Sequence, residues 1–270
     1  MKYIDTHCHL NTDDYDFDLK EVIDRAKEKE VGMIVVGTNL KTSEKAIQIS
    51  EENEDIWAVI GLHPTDIPCE IGNGKFDFDR YRKMAENKKV VAIGECGLDY
   101  FRNKSELEKD INTEIQREVF EKQIKIANEV NKPLMLHLRN SIDRKQNAYT
   151  DAILILKKHA KVSGNAHFFA GNWEEGKSFL DIGFRLSFTG VITFARDYDE
   201  IIRNAPLNMI MSETDSPYVT PMPYRKRGHM QRNEPSYVIE IANTIAEIRN
   251  QDRDIVLPHL VDNAKKLFSL

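Results

Sequence analysis

Eight short apolar runs recur along this chain, each separated from the next by a longer amphipathic stretch. They fall at residues 3–5, 33–37, 56–60, 90–94, 134–137, 164–167, 184–187 and 208–212. Several are near-continuous in Val, Ile, Leu and Met, which marks strands buried on both faces. Between them the helical period predicts helices over 18–29, 42–52, 79–87, 113–130, 151–159, 173–181 and 198–203. Two more, 235–249 and 253–268, follow the eighth run. Such alternation calls for parallel strands joined by helical crossovers, because parallel neighbours cannot be linked by a tight turn. Eight units favour closure over an open sheet. The expectation is an α/β fold, a (β/α)8 TIM barrel, with residues 1–270 forming one domain.

Punctuation along the chain supports these boundaries. Asn131-Lys132-Pro133 ends the long fourth helix, since the residue before a proline avoids the α region. Ile115, Val119, Ile124 and Ile126 give that helix its apolar face. Two stretches read as irregular, 61–76 after the third run and 217–234 after the eighth, and long loops in compact domains are often functional. No run approaches the roughly 20 apolar residues of a membrane helix. The N-terminus passes directly into the first strand, unlike a signal peptide, so a cytoplasmic protein with no membrane partner is expected. The oligomeric state stays open, and a monomer is compatible with everything read here.

Within this frame, residues that bind divalent metals sit repeatedly at one place, the C-terminal end of an apolar run. They are His7, His9, Glu95, His137, His167 and Asp215. In a parallel barrel those ends converge on the working face. Alternation along a strand sends His7 and His9 to the same side. Alone, a His-x-His pair reads equally well as packing, and its position on the first of eight strands is what gives it meaning. Glu95 follows Val90-Val91-Ala92-Ile93-Gly94, where an unpaired carboxylate is costly to bury. An ion pair with an arginine is one reading of it, metal ligation another, and its two oxygens suit a bridge between two ions. His137 and His167 end adjacent strands, where a single histidine would be a satisfied core residue. Asp215 suits a ligand that also holds or deprotonates an attacking water.

Other candidates read more plainly. His159 and His259 belong to outer helices, and His229 to a solvated loop. His63, in Gly61-Leu62-His63-Pro64, ends the third strand and fits a substrate-facing or supporting role. The cysteines Cys8, Cys69 and Cys96 are odd in number and scattered, which argues against a disulfide framework. Cys8 and Cys96 adjoin candidate ligands and therefore point to the opposite face, as small buried residues, with zinc ligation the alternative. The net charge of −6 does not draw polyanions to the surface as a whole. A nucleic-acid substrate would need local basic groups, such as Arg225-Lys226-Arg227 and Arg232 after the eighth strand.

Taken in order, Asp5-Thr6-His7-Cys8-His9, Gly61-Leu62-His63-Pro64, Gly94-Glu95-Cys96-Gly97-Leu98-Asp99-Tyr100, Leu136-His137-Leu138-Arg139, Glu213-Thr214-Asp215-Ser216-Pro217-Tyr218 and Arg232-Asn233-Glu234-Pro235 resemble the TatD family of metal-dependent deoxyribonucleases, within the amidohydrolase-like barrels. The resemblance runs nearly end to end. It implies two divalent ions, Mg, Mn or Zn, one held by His7, His9, Glu95 and Asp215 and the other by Glu95, His137 and His167. It also implies DNA as substrate, cut at phosphodiester bonds by an activated water, with Asp215 and Glu95 as the catalytic residues. Single-stranded ends attacked in the 3′-to-5′ direction are expected, because a narrow barrel mouth reaches a frayed strand more readily than a duplex. His63, Arg102, Arg139 and Arg232 are candidate phosphate contacts, and for the arginines a structural ion pair is the competing reading. Two other readings remain. One is hydrolysis of a small C–N, ester or lactone bond, although the fourth strand offers Glu95 where several such barrels carry a modified lysine. The other is a non-catalytic nucleic-acid-binding barrel.

Overall fold

The computed structural model describes residues 1–71, 75–101, 106–143, 145–225 and 231–270, with backbone alone over 106–112. Arg102, Lys226, Arg227 and His229 lie outside the described residues. The strands are β1 (Tyr3–Cys8), β2 (Val31–Val36), β3 (Ile56–Ile60), β4 (Val90–Asp99), β5 (Leu134–Arg139), β6 (Gly164–Ala166), β7 (Arg185–Phe188) and β8 (Ile210–Ser212). They pair in parallel in the order β1 to β8. A bridge between Cys8 and Ser216 brings the last strand's continuation back to the first. The fold is the expected (β/α)8 barrel.

The helices are α1 (Leu19–Glu28), α2 (Leu40–Glu51), α3 (Ile67–Ile71), α4 (Phe78–Met84), α5 (Glu106–Val130), α6 (Ala148–His159), α7 (Trp173–Asp181), α8 (Asp199–Asn204), α9 (Val238–Arg249) and α10 (Arg253–Phe268). Side chains set several of their ends. Asn39 and Asn172 close capping boxes with Thr42 and Glu175, and Asn147 accepts from the Thr150 N–H at 2.9 Å. At the far end of α5, Asn131 takes a left-handed conformation (φ 52°), and Pro133 follows before β5. Among the described residues no helix is long and apolar enough to cross a membrane.

Two apolar layers hold the barrel. The larger lies between strands and helices and takes in Val35, Ile60, Leu134, Leu136, Phe120, Ile124, Phe179 and Ile241. The smaller joins Ile34, Val36, Val59, Val91, Met135 and Met211 to Val261, Leu267 and Phe268 of α10. Met135 is two residues before His137 and shares its face of β5, so this second cluster fills the barrel beneath the histidines. The candidate ligands thus stand on an apolar floor.

Several boundaries differ from the sequence reading. β4 continues to Asp99, so Glu95 lies inside a strand and not at its end. The β4–β5 register shifts between Ile93 and Cys96, and that irregularity carries the strand past Glu95. Beyond it Gly97 (φ 138°) passes so close to β5 that a Cβ would run into the His137 carbonyl oxygen. The stretch 61–76 contains α3, with Pro68 in its first turn. Helix α5 starts at Glu106, before residue 113. α6 starts at Ala148, directly after its Asn147 cap.

Replacing Gly97 with Ala should therefore destabilise the fold by about 1–3 kcal/mol through overpacking and an unfavourable φ. Urea unfolding of the metal-free protein measures this, and a variant as stable as the parent would show that β4 and β5 separate there at no cost.

Candidate metal centre

The site begins at the seam where the barrel closes. His7 and His9 leave β1 with their Nε2 atoms facing each other at 3.1 Å. Asp215 lies just past β8, and its Oδ1 is 3.7 Å from His7 Nε2 and 3.4 Å from His9 Nε2. Its backbone is left-handed (φ 54°), a conformation Asp tolerates better than most residues. The Asp215 N–H donates to the His7 carbonyl at 2.8 Å, and the His9 N–H donates to the Ser216 carbonyl at 2.7 Å. All three side chains are buried.

Glu95 stands at the centre, and its two oxygens face different groups. Oε2 lies 3.5 Å from His7 Nε2 and 3.7 Å from His9 Nε2. Oε1 lies 2.8 Å from His167 Nε2, 2.9 Å from His137 Nδ1 and 3.3 Å from His63 Nε2. Among the described residues, every ion-pair partner of Glu95 and Asp215 is an imidazole. Burial works to raise the Glu95 carboxyl, but His167, His63 and His137 outweigh it and hold it well below the usual carboxylate range. Asp215 is likewise held low, with burial opposed by His9, His7 and His167.

The second nitrogen of each ring decides what the first can do. His9 Nδ1 donates to the Val36 carbonyl at 2.9 Å, which leaves the Nε2 lone pair facing the site. His137 Nε2 lies 3.1 Å from Asp99 Oδ2. His167 Nδ1 lies 3.5 Å from Glu213 Oε1, within ion-pair reach. His9 and His137 are thus hydrogen-bonded to an oxygen acceptor on the far side, the arrangement that orients metal-ligating imidazoles, while His167 Nδ1 makes no hydrogen bond among the described residues and has Glu213 only at ion-pair distance. His63 is the opposite case. Its Nδ1 accepts from the Thr65 N–H at 3.1 Å, so in the neutral ring the proton sits on Nε2 and points at Glu95. His63 is a donor toward the site, in keeping with the supporting role expected of it, although His63, Glu95 and His137 also lie close enough together to surround an ion.

These geometries fit divalent cations. Clusters of ligand atoms within 4.8 Å of one another comprise His7, His9 and Glu95; His7, His167 and Asp215; and His63, Glu95 and His137. The facing His7 and His9 nitrogens cannot both be neutral acceptors without a donor or cation between them. His7 Nδ1 is buried without a hydrogen bond among the described residues, so nothing else fixes that ring's proton on the far side.

Asp99, Glu213 and Asp5 supply positioning contacts that the ligand search along the sequence missed. Strand parity would have found them, since Asp99 shares the Glu95 face of β4 and Glu213 and Asp5 lie two residues before Asp215 and His7. Glu213 is fully buried and accepts from Ser187 Oγ and from the Phe168 N–H, each at 2.5 Å. Two glutamines of α5, seven residues apart, hold the strand tops. Gln116 pairs with both the N–H and the carbonyl of Asp99 (2.9 and 3.0 Å). Gln123 does the same for Leu62 (2.8 and 2.9 Å), next to His63.

The arginines fall elsewhere. Arg232, expected as a phosphate contact, is instead committed to a bidentate ion pair with Asp18 (2.8 and 2.5 Å) and lies over the Tyr15 ring. Its neighbours serve the same bracket, since Asn233 Nδ2 donates to the Thr214 and Tyr218 carbonyls and Glu234 binds Arg25. Arg139 is exposed at the end of β5, stacked 3.7 Å from the Phe101 ring centroid. Cys8 and Cys96 are buried in the outer apolar layer as expected. His159 and His259 lie on α6 and α10.

Residues 4–269 match the family model described as TatD related DNase. The chain is 39% identical to the uncharacterised metal-dependent hydrolase YabD of Bacillus subtilis, covering 98% of each protein. It is 32% identical to the 3′-5′ ssDNA/RNA exonuclease TatD of Pantoea ananatis, over 98% of this chain and 99% of that one. Among solved structures, YjjV, a TatD homologue of Escherichia coli, superposes with a TM-score of 0.86 at 25% identity, covering 100% of this chain and 98% of the other.

If Glu213 orients His167 toward a metal, Glu213→Gln should lower metal affinity by roughly 10- to 100-fold. Calorimetric titration of the metal-free protein with Mn²⁺ or Zn²⁺ measures it. Undiminished affinity in a folded variant would reduce Glu213 to a strut between β7 and β8.

Proposed function

The chain belongs to the TatD-related DNase family and is a metal-dependent hydrolase, and from that premise we propose that it is a deoxyribonuclease that trims single-stranded DNA ends in the 3′-to-5′ direction with two divalent ions. The observation that carries this reading is the division of Glu95 between two groups of histidines. One oxygen faces His7 and His9, and the other faces His137 and His167. A carboxylate so placed suits a bridge, with His7, His9 and Asp215 completing one site and His137 and His167 the other. Mg²⁺, Mn²⁺ and Zn²⁺ all match this nitrogen and oxygen set.

Bound there, such ions supply Lewis acidity to a phosphodiester and to the water that attacks it. The protein's own residues do the rest. Asp215 is anionic, and its fixed backbone holds Oδ1 toward His7 and His9, where it orients the water and takes its proton. Glu95 stays ionised at the centre, so the cluster keeps a permanent anion for cations to neutralise. His63 presents Nε2–H to the site and can donate to a phosphate oxygen in place of Glu95. Asp99 and Glu213 keep His137 and His167 turned inward. The apolar floor formed by Met135, Val59 and Val36 excludes water from below.

An end-labelled single-stranded oligonucleotide, incubated with EDTA and then with Mg²⁺ or Mn²⁺, tests this reading. A ladder that shortens from the 3′ end only when metal is restored is the expected outcome. Glu95→Ala should abolish it, and Asp215→Asn should slow it by about 10²–10⁴-fold. Intact DNA under every metal, with a folded protein, would overturn the proposal. Asp215→Asn cleaving at the parent rate would overturn the role given to that residue.

A further inference from the structure

Around the buried cluster the barrel mouth carries exposed rings. Tyr218 is 54% exposed, and its ring centroid lies 6.0 Å from that of His9. Its backbone is nevertheless pinned at both ends. The Tyr218 N–H donates to the Asp215 carbonyl at 2.9 Å, and Asn233 Nδ2 donates to the Tyr218 carbonyl at 2.6 Å. On the other flank Phe101 is 37% exposed and carries the Arg139 guanidinium 3.7 Å from its centroid. The Phe101 N–H donates to Asp99 Oδ1 at 2.9 Å, so this ring too is rooted on a residue that positions a histidine of the site.

Single exposed aromatics are ordinary on protein surfaces. What sets these apart is where they are fixed. One is three residues beyond Asp215 and the other two residues beyond Asp99, so they flank the two halves of the Glu95 cluster. A planar ring or guanidinium offers a face to any nucleobase without reading its sequence. Arg139 extends the Phe101 surface and adds a positive charge beside it. A base inside a duplex has both faces covered by its neighbours, so only an unpaired base can use such a surface.

We propose that Tyr218 is the stacking surface for the base on one side of the cleaved phosphodiester, and that the Phe101–Arg139 pair serves the base on the other side. The inference rests on the DNA reading above and deepens it. The ligand recognised is an unpaired nucleobase of either type, and the rings set the register of the strand over the cluster. Tyr218 and Phe101 are positioning residues for the substrate, without part in proton transfer.

The test compares a single-stranded DNA oligonucleotide with versions carrying one abasic (tetrahydrofuran) nucleotide at the last or next-to-last 3′ position, in Mn²⁺. The parent should prefer the full oligonucleotide by about tenfold in kcat/KM, mostly through KM, at each position served by a ring. In Tyr218→Ala that preference should fall to near one at a single position, while Tyr218→Phe should restore it. Phe101→Ala should lose the preference at the other position. If the parent cleaves full and abasic ends equally well, or if Tyr218→Ala keeps the parent's preference at both positions, the stacking inference fails and the nuclease reading stands. If the parent cleaves neither substrate under any metal, the nuclease reading fails and takes this inference with it.

Discussion

One buried carboxylate clasps the seam where the barrel closes. Asp5 Oδ1 accepts from the Thr214 N–H at 2.8 Å and from the His7 N–H at 3.3 Å, and Oδ2 accepts from the Thr214 hydroxyl at 2.5 Å. The short strand β8 meets β1 through this clasp, the Thr6 hydroxyl on the Ser212 carbonyl and the bridge at Cys8. Burial pushes the Asp5 carboxyl well above its usual range, and the bonds from Thr214 and His7 act against that cost. A buried acceptor left without its donors costs about 1–3 kcal/mol, more if charged. The clasp sits directly beneath the residues that matter, because His7 and Asp215 are the next inward-facing groups on either side of it. Closing the fold and bringing the two halves of the seam site together are one event.

The site is held in a form that does not favour stability by itself. Asp215, Phe168 and Val219 are non-glycine residues with positive φ, and all three follow strands that carry candidate ligands or their supports. Each such conformation costs on the order of 1–3 kcal/mol and persists only where the surroundings dictate it. For Val219 the branched side chain makes the cost higher than for Asp. The surroundings here are specific. Asn233 bonds the Thr214 and Tyr218 carbonyls, Tyr15 bonds the Asn233 carbonyl at 2.6 Å, and Glu213 takes the Phe168 N–H. Packed imidazoles add to the burden, with His7 stacked on His167 at 3.9 Å between centroids. Sequence-local preference is overridden around the cluster, as is common where a fold carries chemistry.

What could be read in advance follows from the range of each signal. All eight apolar runs are strands because burial on both faces leaves a mark that needs no context. The six proposed ligands converge because parity and strand position place them, and the thiols of Cys8 and Cys96 turn away by the same rule. Interactions between distant residues left no such mark. That β4 runs on past Glu95, with Gly97 close against His137, is visible only once the strand is paired with β5. The role of Arg232 depends on Asp18, more than two hundred residues away. A basic residue beside a candidate site looks the same in sequence whether it faces substrate or ties down a loop. Asp99 and Glu213 were within reach of parity, yet a carboxylate's partner cannot be named until the histidine's second nitrogen is located.

The two glutamines of α5 have a mechanical consequence. Gln116 and Gln123 are two helical turns apart on one face, and each grips a strand end by both its N–H and its carbonyl. Helix α5 therefore acts as a ruler laid across the tops of β3 and β4. It fixes the spacing between Asp99, which backs His137, and the chain leading into His63. Sliding or tilting this helix would carry both points together and leave their separation unchanged. Among the described residues, nothing comparable in α5 grips the seam between β1 and β8, which is tied instead by Asp5 and Asn233. The site is thus held from two sides of one continuous sheet, by the α5 glutamines over β3 and β4 and by the clasp at the β1–β8 seam, with Glu95 where they meet.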